Sequence, residues 1–401
     1  TTTALTFSGW GVVIKSQTVG TTLRGEGVQT GGYTTDSEFD DWGLLNKQET
    51  VGYSEIPAGK TGEYTTTALT FSGWGVVIKS QTIGTTLRGE GVQTGSYTTD
   101  SEFDDWGLLN SQITTGYSEV PAGKTGEYTT TALTFSGWGV VLTSQTIGTT
   151  LRGVGVQTGG YTTDSTFDDW GLLNKQETVG YSEIPAGKTG DYTTTALTFS
   201  GWGVVLSSQT IGTTLRGEGV LTGGYTTDSE FDDWGLLNKQ ETVGYSQIPA
   251  GKTGDYTTTA LTFSGWGVVI KSQTVGTTLR GEGVLTGGYT TDSEFDDWGL
   301  LNKQVTTGYS QIPEGKTGDY TTTALTFSGW GVVIKSQTVG TTLRGEGVQT
   351  GGYTTDSEFD DWGLLNKQET VGYSEIPAGK TGEYTTTALT FSGWGVVIKS
   401  Q

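Results

Sequence analysis

The chain has 401 residues, a formal net charge of −21, a hydrophobic fraction of only 32%, and no Cys, His or Met. The acid excess excludes a nucleic-acid binder, which needs Lys and Arg against phosphates, and argues against an anionic membrane surface. Without Cys there are no disulfides and no thiolate metal site. Without His or Cys the usual acid–base and thiol catalysts are missing, so the chain reads as no enzyme.

Residues 1–64 form a unit that begins again at Thr65, Thr129, Thr193, Thr257 and Thr321, with no insertion or deletion. The organisation is therefore 1–64, 65–128, 129–192, 193–256, 257–320 and 321–384, with a partial seventh copy at 385–401. A period of this size marks a repeat architecture. The partial copy reads as a segment of something longer. No apolar run is long enough for membrane insertion as a helix.

Within one copy, Thr, Gly, Val and aromatic residues dominate, which is strand-and-turn composition. Thr2 to Ser8 alternates, with Thr3, Leu5 and Phe7 on one face. Gly9-Trp10-Gly11 reads as a bend or bulge before a second strand through Val12 to Ile14. Gly20 and Thr30-Gly31-Gly32 read as turns, and Gly52 as a strand break. Gly25 and Gly27 leave room for a large ring, with Trp10 the candidate. Leu44 and Leu45 read as anchors, and Pro57 to Gly62 as a turn that fixes φ through Pro. Five or six short strands per copy are expected, with no linker between copies.

Each copy carries two Trp, two Phe and three Tyr, and rings so numerous in so small a unit read as its core. Phe7, Trp10, Phe39, Trp42 and Tyr53 are the expected core residues. The acidic run Asp36-Ser37-Glu38-Phe39-Asp40-Asp41 is the candidate cation site. Hard cations want several oxygen ligands, which makes Asp36, Asp40 and Asp41, with Asp100, Asp104 and Asp105 in the next copy, candidate Ca²⁺ ligands. The alternative is a solvated turn whose Asp side chains cap backbone amides. Glu38 is replaced by Thr166 in the third copy, so it is not an essential ligand. The run AGKTG lacks the preceding Gly and the following helix of a phosphate loop, and reads as a turn. Arg24 and Glu26 read as a surface charge pair.

With near-identical copies, Thr/Gly-rich β composition, acidity and no Cys, the chain resembles the tandem-repeat stalks of prokaryotic surface adhesins and extracellular filaments. The resemblance implies a structural fibre or stalk at the cell surface or outside the cell, such as an adhesin spacer or biofilm matrix. Its partners would be neighbouring repeats, identical chains in a filament, and surface glycans. The expected fold is all-β: a stiff rod, a linear array of antiparallel β repeats built as small sandwich- or barrel-like units or as a β-solenoid. The alternative is a carbohydrate-binding β-propeller with one copy per blade.

Overall fold

The computed structural model describes residues 1–401 except Gly25, Glu26, Gly89, Glu90, Val154, Glu218, Glu282, Glu346 and Trp394. The proposed Arg24–Glu26 pair and the ring site on Gly25 therefore lie outside the described residues. The chain is all-β, built of antiparallel strands in a regular repeat. β1 spans Thr2–Phe7, β2 Val13–Arg24, β3 Val28–Phe39, β4 Leu45–Ile56 and β5 Gly59–Phe71. The β2–β5 pattern then recurs every 64 residues as far as Val397–Ser400.

Two compact units are present, Thr1–Gly180 with Phe199–Val205, and Tyr181–Thr198 with Leu206–Gln401. In the first, every strand from β1 to Val156–Phe167 pairs antiparallel with the next in sequence. In the second the same meander runs from the strand ending at Arg216 to Val397–Ser400. The boundary between sequence copies falls inside β5, which pairs with β4 on one side and with Val77–Arg88 on the other. A propeller with one copy per blade would break there, so the blade alternative is corrected.

A copy holds four strands of 12 or 13 residues, not five or six short ones. Gly20, Gly31, Gly32 and Gly52, expected at turns and breaks, all lie inside strands. Glycine weakens a strand unless a neighbouring ring covers it. Here Gly20, Tyr33, Gly52, Tyr64, Gly84 and Tyr97 follow one another across successive strands in a single row. Each Tyr ring lies on the Gly of the preceding strand, so that a side chain at Gly20, Gly52 or Gly84 would strike Tyr33, Tyr64 or Tyr97. A second set places Tyr53 over Gly32.

The true turns follow a shorter rhythm. From Gly11, a left-handed glycine recurs every 16 residues, as at Gly27, Gly43, Gly59 and Gly75. At Gly11 and Gly43, φ is 78° and 83°, the conformation that closes a hairpin with a glycine bulge. Gly9-Trp10-Gly11 is therefore a hairpin turn. The turn expected over Pro57 to Gly62 forms only at Pro57 and Ala58, because Gly59 to Gly62 already pair with β4 as the start of β5.

No apolar side chain is buried among the described residues. Cohesion comes from the backbone ladders, the Gly–Tyr rows, and a row of paired Thr hydroxyls. Thr35 bonds Thr50 at 2.8 Å and Thr66 bonds Thr82 at 2.7 Å. Cross-strand pairs of this kind contribute about 0.2–1 kcal/mol each. On the other face of the sheet Lys15, Glu38 and Lys47 are opposite one another, with ion pairs of 3.3 and 3.4 Å. Lys15, then Lys47, hold the Glu38 carboxyl below its ordinary pKa. This pairing explains two substitutions together: in the third copy Thr143 stands for Lys15 and Thr166 for Glu38, and the two face each other.

The Tyr row sets an alkaline limit. Burial raises the pKa of Tyr97, Tyr128, Tyr161, Tyr225, Tyr256, Tyr289, Tyr320 and Tyr353 above the ordinary phenol value. In the unfolded chain these phenols ionise near about pH 10. Stability is therefore full below about pH 10 and falls as pH rises through the raised folded values. Phenolate absorbance and circular dichroism followed together should show ionisation delayed until the strands melt. Full ionisation near the ordinary phenol value with the fold intact would contradict this.

Candidate interaction surface

The 13 Trp of the sequence sit 32 residues apart, from Trp10 to Trp394. Half a sequence copy is two strands, so in the first unit Trp10, Trp42, Trp74, Trp106, Trp138, Trp170 and Trp202 all occupy hairpin turns on the same edge. These turns alternate in sequence between Ser-Gly-Trp-Gly and Asp-Asp-Trp-Gly. They share one geometry. Ser8 Oγ accepts the N–H groups of Trp10 at 3.3 Å and Val12 at 3.1 Å. Asp40 Oδ1 accepts those of Trp42 at 2.8 Å and Leu44 at 2.9 Å. Gly11 and Gly43 each donate to the first carbonyl of their turn at 3.0 Å.

Each turn also rests on the previous one along the edge. A Cβ added at Gly43 would touch Val12 Cγ1 at 3.4 Å, and one added at Gly75 would lie 2.6 Å from Leu45 N. The same contacts recur at Gly107 on Val76 and Gly139 on Leu109. The turns are thus spaced two strands apart, about 9.6 Å.

The indoles do not form a core, contrary to the sequence expectation. Trp10 is 91% exposed and Trp42 86%; six rings of this edge are 81–91% exposed and the seventh, Trp202, 57%. Phe7 is 60% exposed on β1, while Phe39 and Tyr53 are half-buried. The physical reason is the hairpin: position three of a four-residue turn lies beyond the strand ladders, so the ring is covered only where neighbouring residues reach it. Gly27, offered as a seat for Trp10, lies in a turn with open space around it. In the second unit Trp234, Trp266, Trp298, Trp330 and Trp362, on the same turn sequences, are half-buried. Replacing an exposed ring is a surface change, so Trp42→Ala should shift stability by no more than about 0.5 kcal/mol. Denaturant unfolding checks this, and a loss of about 3 kcal/mol would restore the core reading.

The candidate cation ligands are not gathered. Asp36 is an exposed strand residue that accepts Gln17 Nε2 at 2.9 Å. Asp40 is engaged by its own turn, and Asp41 is exposed at the tip. Asp100, Asp104 and Asp105 repeat this arrangement. Among the described residues no group of three or more acidic side chains is placed to hold an ion.

Lys60 lies on β5, with its ammonium 5.1 Å from the centre of the Tyr53 ring and 2.5 Å from Glu63. The hydrogen bond that Lys60 donates to Glu63 raises the Lys60 pKa. Gln29 Nε2 donates to Tyr53 Oη at 2.9 Å. Beside this group, an open depression of about 670 Å³ lies along a row of exposed Val19, Val51 and Ile83. Similar depressions recur in the same rows around Ile147 and around Val275.

No family model and no curated protein sequence matches the chain. Among solved structures it is similar to a Photorhabdus luminescens Tc holotoxin pore, at 13% identity over 94% of this chain and 27% of that one, with a TM-score of 0.17. A TcdB2–TccC3 structure is similar at 9% identity over 96% of this chain and 34% of that one, with a TM-score of 0.14. The chain thus spans about a third or less of the length of these structures. At such scores the likeness carries no argument about function.

Proposed function

We propose that the chain is a structural repeat protein, without enzymatic activity, that adds length to an extracellular fibre or stalk. The observation that supports this is β5, which crosses the boundary between copies and pairs with strands of both. Copies then add strands to a meander and are not separate beads. Each copy contributes four strands, which corresponds to about 19 Å of advance at about 4.8 Å per strand. The exposed indoles support a second reading, contact with surface glycans, since flat rings stack on sugars.

Chains lengthened by one and by two whole copies, compared by small-angle scattering, test the spacer. The maximum dimension should rise by the same increment, about 19 Å, for each copy. A dimension that stays constant while mass is added overturns it.

A further inference from the structure

We infer that the tryptophan edge of the first unit binds a neutral polysaccharide of extended, β-1,4-linked pyranose units, laid along the row of turns. The inference rests on the glycan reading above and names the polymer and its direction; it is independent of the spacer reading.

The first ground is how the apolar surface is divided. Six of the seven indoles stand 81–91% exposed, each on its own turn. The other turn residues are Ser, Asp and Gly, so no second large apolar side chain shares a turn with a ring. A protein partner needs a continuous, closely packed apolar centre with polar groups at the rim. Here small or charged residues interrupt the rings at every step. A sugar chain has the matching surface, because a pyranose with equatorial substituents offers a flat C–H face to a ring and hydroxyls at its margin. The turns are already fixed by their Ser8- and Asp40-type hydrogen bonds and rest on one another, so little order is lost on binding.

The second ground is period. The turns recur every two strands, about 9.6 Å. In an extended β-1,4-linked chain each pyranose is turned over relative to the last, so one face returns every disaccharide. The length of a disaccharide is close to the spacing of two strands. Successive disaccharides can then stack on successive indoles, and the contacts add along the chain. An α-1,4-linked chain coils and cannot follow a straight row.

The third ground is charge. Turns alternate between neutral and acidic from 8–11 to 200–203. The first carboxylate of each acidic turn, as at Asp40, is held by its own backbone, while the second, as at Asp41, is exposed beside the ring. Carboxylates accept hydrogen bonds from sugar hydroxyls. They repel uronate and sulfate groups, and so select a neutral polymer.

Isothermal titration of the full chain with sugars of defined length tests the proposal. The probes are cellohexaose and chitohexaose, which distinguish a glucan from its N-acetylated counterpart, with cellobiose, maltohexaose and a β-1,4-linked hexauronate beside them. A variant with the seven Trp of the edge changed to Ser, Trp10→Ser through Trp202→Ser, is titrated in parallel.

The expected result is binding of at least one of the two neutral β-1,4-linked hexaoses. Cellobiose or its N-acetylated counterpart should bind about tenfold more weakly, because it engages one ring where the hexaose engages three. Maltohexaose and the hexauronate should give no heat at low salt. The Ser variant should lose the binding with unchanged circular dichroism. No binding of either neutral hexaose overturns the proposal, as does equal binding of the hexauronate or binding that survives in the Ser variant. Binding of maltohexaose that the Ser variant loses overturns the β-1,4 assignment and leaves the broader glycan reading standing. A chain that takes up no sugar but forms dimers, lost in the Ser variant, overturns it in favour of a contact between chains.

Discussion

Gly95→Ala is expected to destabilise its part of the sheet by about 3 kcal/mol or more, as an overpacking change with no route of relief. Gly95 is paired with Thr86 on one side and Ser118 on the other. A Cβ there would collide with the carbonyl oxygen of Tyr117 and lie 2.8 Å from Thr86 Oγ1. The carbonyl belongs to the backbone ladder, so it cannot retreat without breaking strand pairing. Gly84→Ala provides the contrast. Its Cβ would meet the Tyr97 ring, which can swing away at the expense of its cover on the strand, for a loss of about 1 kcal/mol. The copies already contain a milder trial. Ser96 stands where the first copy has Gly32, at which a Cβ would come only to 3.0 Å from the Tyr53 ring. Because repeat stability is dominated by nearest neighbours, hydrogen exchange should show the Gly95→Ala damage confined to the adjoining strands. A cost equal to that of Gly73→Ala, where an added Cβ meets nothing within 4 Å, would refute the account.

Gly75→Ala is the second large effect, at about 3 kcal/mol. Its φ of 75° is left-handed, which costs an L-residue with a side chain about 1–2 kcal/mol. Its Cβ would also sit 2.6 Å from Leu45 N and 3.1 Å from Leu44 Cα. Gly43→Ala separates the two contributions. Gly43 has a similar φ of 83°, but an added Cβ meets only Val12 Cγ1 at 3.4 Å. Gly43→Ala should therefore carry only the conformational part, about 1–2 kcal/mol. Urea unfolding of the two variants measures the difference, which reports how firmly one Trp turn is wedged on the next. Equal costs would mean that the turns along the edge are independent.

The copy number, the 64-residue period and the all-β class were legible from sequence alone. Thr, Val and Gly at these densities leave no helix to build, and near-identical copies without linkers form one repeating pattern. A turn at Pro57 was legible too, since Pro fixes φ locally, but its extent was not: Gly59 to Gly62 belong to β5. What sequence reading missed was the rhythm inside the period. Trp recurs every 32 residues and a turn glycine every 16, and those intervals mark one hairpin and one strand.

Only the tertiary structure decided which glycines turn and which lie flat. Gly11 and Gly20 are alike as residues. Gly11 has left-handed φ at a hairpin tip, whereas Gly20 lies in β2 beneath the Tyr33 ring of the next strand. That ring is 13 residues away, and no local pattern reveals which strand it will cover. The same holds for the indoles. Burial of Trp is the ordinary expectation for a large apolar ring, but a ring joins a core only if its backbone position faces one. The third position of a four-residue hairpin lies beyond the strand ladders, which leaves Trp10 to Trp170 exposed and the second unit's rings at most half-buried. Sequence thus determined the strands and their number of copies, while cross-strand register, a long-range property of the paired backbone, decided what each ring covers and which rings remain exposed.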